Sequence, residues 1–202
     1  MEIKNIDYLS FSVDIQDYDQ MKDSDLFQNL ETAKRTTAES SLQGQEQRAD
    51  MDINDMCFEV LGNGCPGYMY ILYNAEYQVW IARYRSRHED YYPVMVRVMS
   101  ECLWAYGSNG AYDRICHWIE KTFGKIIGNK VSRVDLACHT DAFKFDMQDM
   151  QKFKGRYRKS NVWMNNRVCT GLEFGVRTAD IFCRIYDKTR EVTEKLDKKW
   201  FF

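Results

Sequence analysis

Asp180-Ile-Phe-Cys-Arg-Ile-Tyr-Asp-Lys188 alternates with a period of two. Ile181, Cys183 and Ile185 fall on one side, and Phe182, Arg184, Tyr186 and Lys188 on the other, as in a half-buried strand. Upstream, Thr170-Gly-Leu-Glu-Phe-Gly-Val176 has the same character. If Arg177 and Thr178 make the turn, Val176 opposes Ala179 and Glu173 opposes Phe182. Leu172 and Phe174 then join Ile181 and Cys183 on a core side, and Glu173 shares the polar side with Arg184 and Tyr186. The agreement of both apolar faces supports this register. A third strand, Val131-Ser-Arg-Val-Asp-Leu-Ala-Cys-His139, points Val134, Leu136 and Cys138 toward a core and Arg133, Asp135, Ala137 and His139 away from it. The hairpin is expected to lie beside this strand, with Asp135 and Tyr186 on one side of the sheet.

Outward from these segments the chain reads as α+β. Ile6–Ile15 alternates Leu9, Phe11, Val13 and Ile15 with Tyr8, Ser10, Ser12 and Asp14. Residues 17–55 are polar and read mainly as a long loop. It carries a helix around Ser24–Thr36, with Ser24 as N-cap and Leu26, Phe27 and Leu30 as its stripe. Met56–Leu61, Tyr68–Tyr73, Gln78–Tyr84 and Pro93–Met99 follow with turn residues between them, the pattern of an antiparallel meander. Asn109–Phe123 repeats Ala111, Ile115, Trp118, Ile119 and Thr122 at helical spacing, with Asn109 to cap it and Gly124 to end it. A short helix is expected at Phe145–Phe153, strands at Asn161–Asn165 and in the closing hairpin, and a last helix from Lys188 to Lys195. The expectation is one domain, 1–202, with a central, mostly antiparallel sheet and helices on one face.

With 202 residues, 45% of them hydrophobic and 14% aromatic, the chain can bury a core. No apolar run reaches membrane-spanning length, and the start lacks a signal-peptide pattern, so the expected location is the cytoplasm. The seven cysteines form no C-x-x-C pair and are expected to be reduced and mostly buried. A net charge of −2 conceals an asymmetry: residues 151–202 hold 13 Lys and Arg against 6 Asp and Glu, whereas residues 1–150 hold 15 against 24. From charge alone, this asymmetry reads either as a surface that attracts a polyanion at the C-terminal quarter and repels it elsewhere, or as a solvated basic face.

The Val131-Ser-Arg-Val-Asp-Leu-Ala137 block, Thr170-Gly-Leu-Glu-Phe-Gly175 and Asp180-Ile-Phe-Cys-Arg-Ile-Tyr-Asp-Lys-Thr189, with Ile6-Asp-Tyr-Leu-Ser-Phe11 and Lys198-Lys-Trp-Phe201, resemble the plasmid and phage replication initiation factor family. The resemblance implies the rolling-circle initiator and relaxase nuclease fold. It also implies a DNA nicking and strand-transfer enzyme, whose tyrosine attacks origin DNA, keeps the 5′ phosphate and frees a 3′ hydroxyl. On it, Tyr186 is the nucleophile, Lys188 assists the oxygen or the departing oxyanion, and Asp135 with Glu173 would hold Mg²⁺ or Mn²⁺. Arg133 and Arg184, and the exposed-looking Arg156, Arg158 and Lys159, are the expected DNA contacts. Expected partners are single-stranded or cruciform origin DNA, a host helicase and polymerase, and a second copy as a homodimer, with no membrane. The family pattern continues past Trp200 into a strand carrying Arg-x-Glu, so a C-terminally shortened form is expected.

Blander roles stand beside these. A strand tyrosine usually packs, Glu173 can pair with Arg184 across the strands, and Tyr157 belongs either to a solvated loop or to a base-stacking site. The alternatives for the whole chain are a catalytically silent DNA-binding fragment and the transfer relaxase of an integrative element. The charge asymmetry makes one expectation independent of catalysis. Affinity for a labelled single-stranded oligonucleotide should fall steeply between about 50 and 200 mM salt, because phosphate contacts release counterions. Fluorescence anisotropy across that range measures the slope, and a flat response would remove the basic quarter as the contact surface.

Overall fold

Period-two alternation becomes strands throughout the computed structural model, which describes residues 2–42, 48–86, 91–140 and 146–188. Where the sequence suggested one domain, the chain divides into two compact units, 2–139 and 140–202. The architecture is α+β with a large antiparallel sheet. In the larger unit, β1 (Glu2–Ile15), β2 (Ala49–Ile53), β3 (Met56–Val60), β4 (Tyr70–Tyr73), β5 (Tyr77–Ile81), β6 (Val94–Val98) and β7 (Ile126–Thr140) form one sheet in the order β2-β3-β4-β5-β6-β1-β7. The meander is present: β3, β4, β5 and β6 pair in succession, all antiparallel. Asn74 makes the turn that its sequence suggests, its side-chain oxygen accepting from the N–H groups of Glu76 and Tyr77.

Directly opposed residues share a face, so the register Leu72↔Val79, Val79↔Val96 and Val96↔Phe11 builds one continuous apolar surface. Both helices cover it. Phe11 meets Tyr112 of α2 (Ser100–Phe123) with ring centroids 4.8 Å apart, and Phe58 meets Trp118 at 5.0 Å. Tyr70 meets Phe27 of α1 (Asp25–Leu42) at 5.8 Å. Leu9, Phe11, Val13 and Ile15 are buried, as their alternation requires.

Three expectations are corrected here. First, residues 17–55 are not mainly loop: α1 runs to Leu42, and β2 is ordered beyond it. The polar residues that argued for a loop satisfy themselves within the helix. The hydroxyls of Thr32, Thr36, Ser40 and Ser41 donate to the carbonyls one turn back. Thr37 Oγ1 donates to the Val60 carbonyl and accepts from Ala49 N–H, tying α1 to β2 and β3. Ser24 precedes the helix, but its hydroxyl makes no cap and finds no hydrogen-bond partner.

Second, α2 begins at Ser100 and passes Asn109 without a cap. Its break is at Gly107, whose φ of 69° is left-handed and suits glycine. Third, Val134, Leu136 and Cys138 do not face a core. Leu136 is 81% exposed and Val134 45%, because β7 is an edge strand and α2 packs over β1 and β6. Of the cysteines, only Cys102 is buried; Cys57, Cys65, Cys138 and Cys183 are exposed, and all are free.

The smaller unit has its own sheet, in the order β10-β9-β8: β8 (Ser160–Asn165), β9 (Val168–Phe174) and β10 (Cys183–Tyr186). The hairpin expected beside the 131–139 strand therefore forms, but its third strand is β8, and it belongs to a different sheet from β7. A 3₁₀ turn at Met147–Lys152, closed by a capping box between Asp146 and Asp149, stands where a short helix was expected. The helix expected at Lys188–Lys195 lies outside the described residues after Lys188. Among the described residues no helix is long and apolar enough to cross a membrane.

Phe11 is central to the larger unit and fully buried. Phe11→Ala should lower unfolding free energy by about 3–5 kcal/mol, the usual cost of deleting a core aromatic ring. Urea denaturation followed by tryptophan fluorescence measures it, and a loss below about 1 kcal/mol would show that Phe11 does not hold α2 on the sheet.

Candidate nucleic-acid interface

Glu173 organises the hairpin. Its side chain is 5% exposed, yet it is a carboxylate, and burying one without a counter-charge is costly. Arg184, directly opposite on β10, offers Nε at 3.5 Å, and Arg177, from the connecting loop, offers Nη2 at 3.4 Å. The cross-strand pair weighed from sequence is thus the one that forms. The turn is longer than the two residues assumed: it spans 175–182, and Arg184 rather than Phe182 opposes Glu173. The slip is an even number of residues, so Glu173, Arg184 and Tyr186 still share a face. Gly175 permits the longer turn. Its φ is 92°, and a Cβ there would lie 3.1 Å from the Ile181 carbonyl oxygen. Ile181 lies in this turn and is 84% exposed, whereas Cys183 opposes Phe174 and so shares the face of the buried Leu172 and Phe174, though it is itself exposed.

Along β10 the face continues from Arg184 to Tyr186. The Arg184 guanidinium carbon lies 4.6 Å from the Tyr186 ring centre. The Lys188 ammonium donates to the Tyr186 hydroxyl at 3.2 Å. Four of the residues picked from sequence, Glu173, Arg184, Tyr186 and Lys188, therefore meet in one cluster of two cations, a phenol and a buried carboxylate. Arg156, Arg158 and Lys159 are exposed on the segment leading into β8. Tyr157, between them, is not a free stacking ring. It packs on Phe174 at 5.0 Å and donates to the Phe153 carbonyl.

Asp135 and Arg133 belong to the larger unit. Arg133 grips Asp135 with two bonds, Nε to Oδ1 at 2.8 Å and Nη2 to Oδ2 at 2.5 Å. That carboxylate holds the guanidinium's pKa above its ordinary value. Arg133 also lies 4.5 Å from the Tyr8 ring centre, and Arg97 lies 4.8 Å from the same ring.

A divalent cation needs carboxylate oxygens turned toward it. Both oxygens of Asp135 accept from Arg133, and Oε1 of Glu173 is approached by both Arg177 and Arg184. Among the described residues no three His, Cys, Asp or Glu side chains come together to hold a metal ion.

Sequence reasoning missed Arg177, placed in a turn and given no role, and Trp163 on β8. Trp163 lies across Gly171 from Tyr186 and is 48% exposed. The alternation of Asn161–Asn165 was the available signal for Trp163. No protein-family model matches the chain, and no curated protein matches it.

The Glu173 pairing predicts coupled stability. Arg184→Gln leaves the buried carboxylate with Arg177 alone and should cost about 1–2 kcal/mol. Glu173→Gln should cost at least about 0.5 kcal/mol less in the Arg184→Gln background than in the wild type. A urea double-mutant cycle measures the coupling, and strict additivity would show that the pair contributes nothing.

Proposed function

We propose that the chain is a DNA strand-transfer protein of the rolling-circle initiator kind, with Tyr186 as its nucleophile. The observation that carries this reading is the Tyr186 hydroxyl with an ammonium 3.2 Å away and a guanidinium 4.6 Å from its ring, on the strand that the resemblance singles out. A phenol is a weak nucleophile at neutral pH because it is mostly protonated. An adjacent ammonium favours negative charge on the oxygen, and the two cations also suit a phosphodiester as ligand. In the proposed step Tyr186 Oη bonds to phosphorus and the bond to the 3′ oxygen breaks. The phenol proton passes to solvent, the departing 3′ oxygen takes one up, and the 5′ phosphate stays on the tyrosine. Lys188 and Arg184 bind the non-bridging oxygens, and Glu173 holds Arg184 in place.

A second reading, a DNA-binding module that does not cut, is favoured by the engagement of both carboxylates with arginines. Adduct formation separates the two. The chain is incubated with single-stranded origin-type oligonucleotides in Mg²⁺, Mn²⁺ or EDTA, then denatured and resolved by electrophoresis. The nicking reading expects a denaturation-resistant adduct that Tyr186→Phe abolishes while binding stays within about threefold, and that Lys188→Ala slows by roughly 10- to 100-fold. An adduct that survives Tyr186→Phe would falsify the assignment, and binding without adduct under all three conditions selects the second reading.

A further inference from the structure

β7 ends the large sheet, and among the described residues no strand pairs with its outer edge. Val131, Val134 and Leu136 on it are exposed. Sheet edges commonly carry charges that turn other strands away. β7 carries charges of both signs, two residues apart. Arg133 and Asp135 point to one face and bond to each other, and Val134 between them points to the other face. A strand with that pattern is complementary to a reversed copy of itself.

A two-fold axis through the sheet would present the same edge from both copies, with the two β7 strands antiparallel. One residue lies on the axis and meets its own copy, and the residues on either side of it oppose each other in pairs. Opposed side chains share a face whichever residue is central, so charge decides among the registers. With Arg133 at the centre, two guanidiniums meet. With Asp135 there, two carboxylates meet. Ser132 at the centre sets Arg133 against Val131, and Leu136 sets Asp135 against Ala137. With Val134 at the centre, Arg133 of each copy opposes Asp135 of the other, with Cβ atoms about 5 Å apart. The same register sets Val134 against Val134 and Val131 against Ala137. It also brings Leu136 diagonal to Val134 of the other copy, on the same face.

We propose that β7 is a homodimer interface, at which two copies of the chain join their large sheets antiparallel about Val134. The main-chain ladder supplies attraction between the edges, and the side chains supply the register. Arg133 and Asp135, paired within one strand of the single chain, become a cluster of four alternating charges across the axis. Each carboxylate then has two guanidiniums within reach. Association of this kind needs neither DNA nor the chemistry assigned to Tyr186, so it stands or falls separately from the nicking reading.

The test is sedimentation equilibrium of the full chain, without DNA and in reducing buffer, because Cys57, Cys65, Cys138 and Cys183 are exposed. The wild type should reach the mass of two chains as concentration rises. Val134→Lys and Val134→Glu should each weaken association by at least about tenfold, because two like charges then meet on the axis. An equal mixture of these two variants should dimerise again, since a mixed pair sets an ammonium against a carboxylate. Rescue by mixing reports that this position meets its own copy. Separately, Arg133→Asp should dissociate the dimer by opposing two carboxylates, and Asp135→Arg added to it should restore association. Circular dichroism of the Val134 variants should match the wild type, because the position is an exposed one on an edge strand.

The interface is overturned if the wild type keeps the mass of one chain at its highest soluble concentration. It is also overturned if Val134→Lys or Arg133→Asp associates as tightly as the wild type, or if the mixed Val134 variants keep native dichroism and stay single. Should the Val134 variants unfold, the charge exchange decides. A folded Arg133→Asp, Asp135→Arg double variant that remains single overturns the register and the interface with it.

Discussion

A carboxylate removed from water must find a positive partner, and in the smaller unit that requirement sets the geometry of everything else. Glu173 is satisfied only when Arg184 stands opposite it and Arg177 closes over from the turn. A register with Arg184 opposite Glu173 puts Tyr186 opposite Gly171, and β8 on the other edge puts Trp163 opposite the same glycine. The place of the phenol beside its cations, and of the buried glycine between two aromatic residues, goes with the register that pairs Glu173 with Arg184. A two-residue slip would keep the faces but move the phenol away from the glycine.

The larger unit is governed by a different rule. Its core is a continuous apolar face made by alternation on six strands and covered by two helices. Some of its polar atoms are satisfied locally, by hydroxyls bonding one turn back in α1 and by Asn74 in a turn, and buried ones by long-range bonds, Tyr18 Oη donating to the Ala82 carbonyl and Trp118 Nε1 to the Ile53 carbonyl. No charge is needed at its centre. Charged pairs sit at its borders, such as Arg85 with Asp14 and Lys121 with Asp55.

Much of this was legible in the sequence. Alternation located β1 and the meander, and the helical spacing of Ala111, Ile115, Trp118 and Ile119 located the buried stripe of α2. The pairing of Glu173 with Arg184 was visible as an option, since residues on one face of two adjacent strands can meet. The limits are physical. Composition hid the length of α1, because Thr and Ser favour loops until their hydroxyls bond back into the helix. Alternation identified the two sides of β7 but not which was covered, because coverage depends on how far the helices reach. Turn length could not be read from Arg177 and Thr178, since the glycine that releases the chain is at 175.

The exposed edge of the large sheet affects how the protein behaves at high concentration. β7 is long and lies at the end of its sheet, with Val131, Val134 and Leu136 open to water. Such a strand is a template onto which another chain can add. Lys130, Arg133 and Asp135 are interleaved with those apolar residues, so a second strand joining this border must accommodate charges as well as hydrocarbon. The same strand that invites association thus limits which partners and which alignments can complete it.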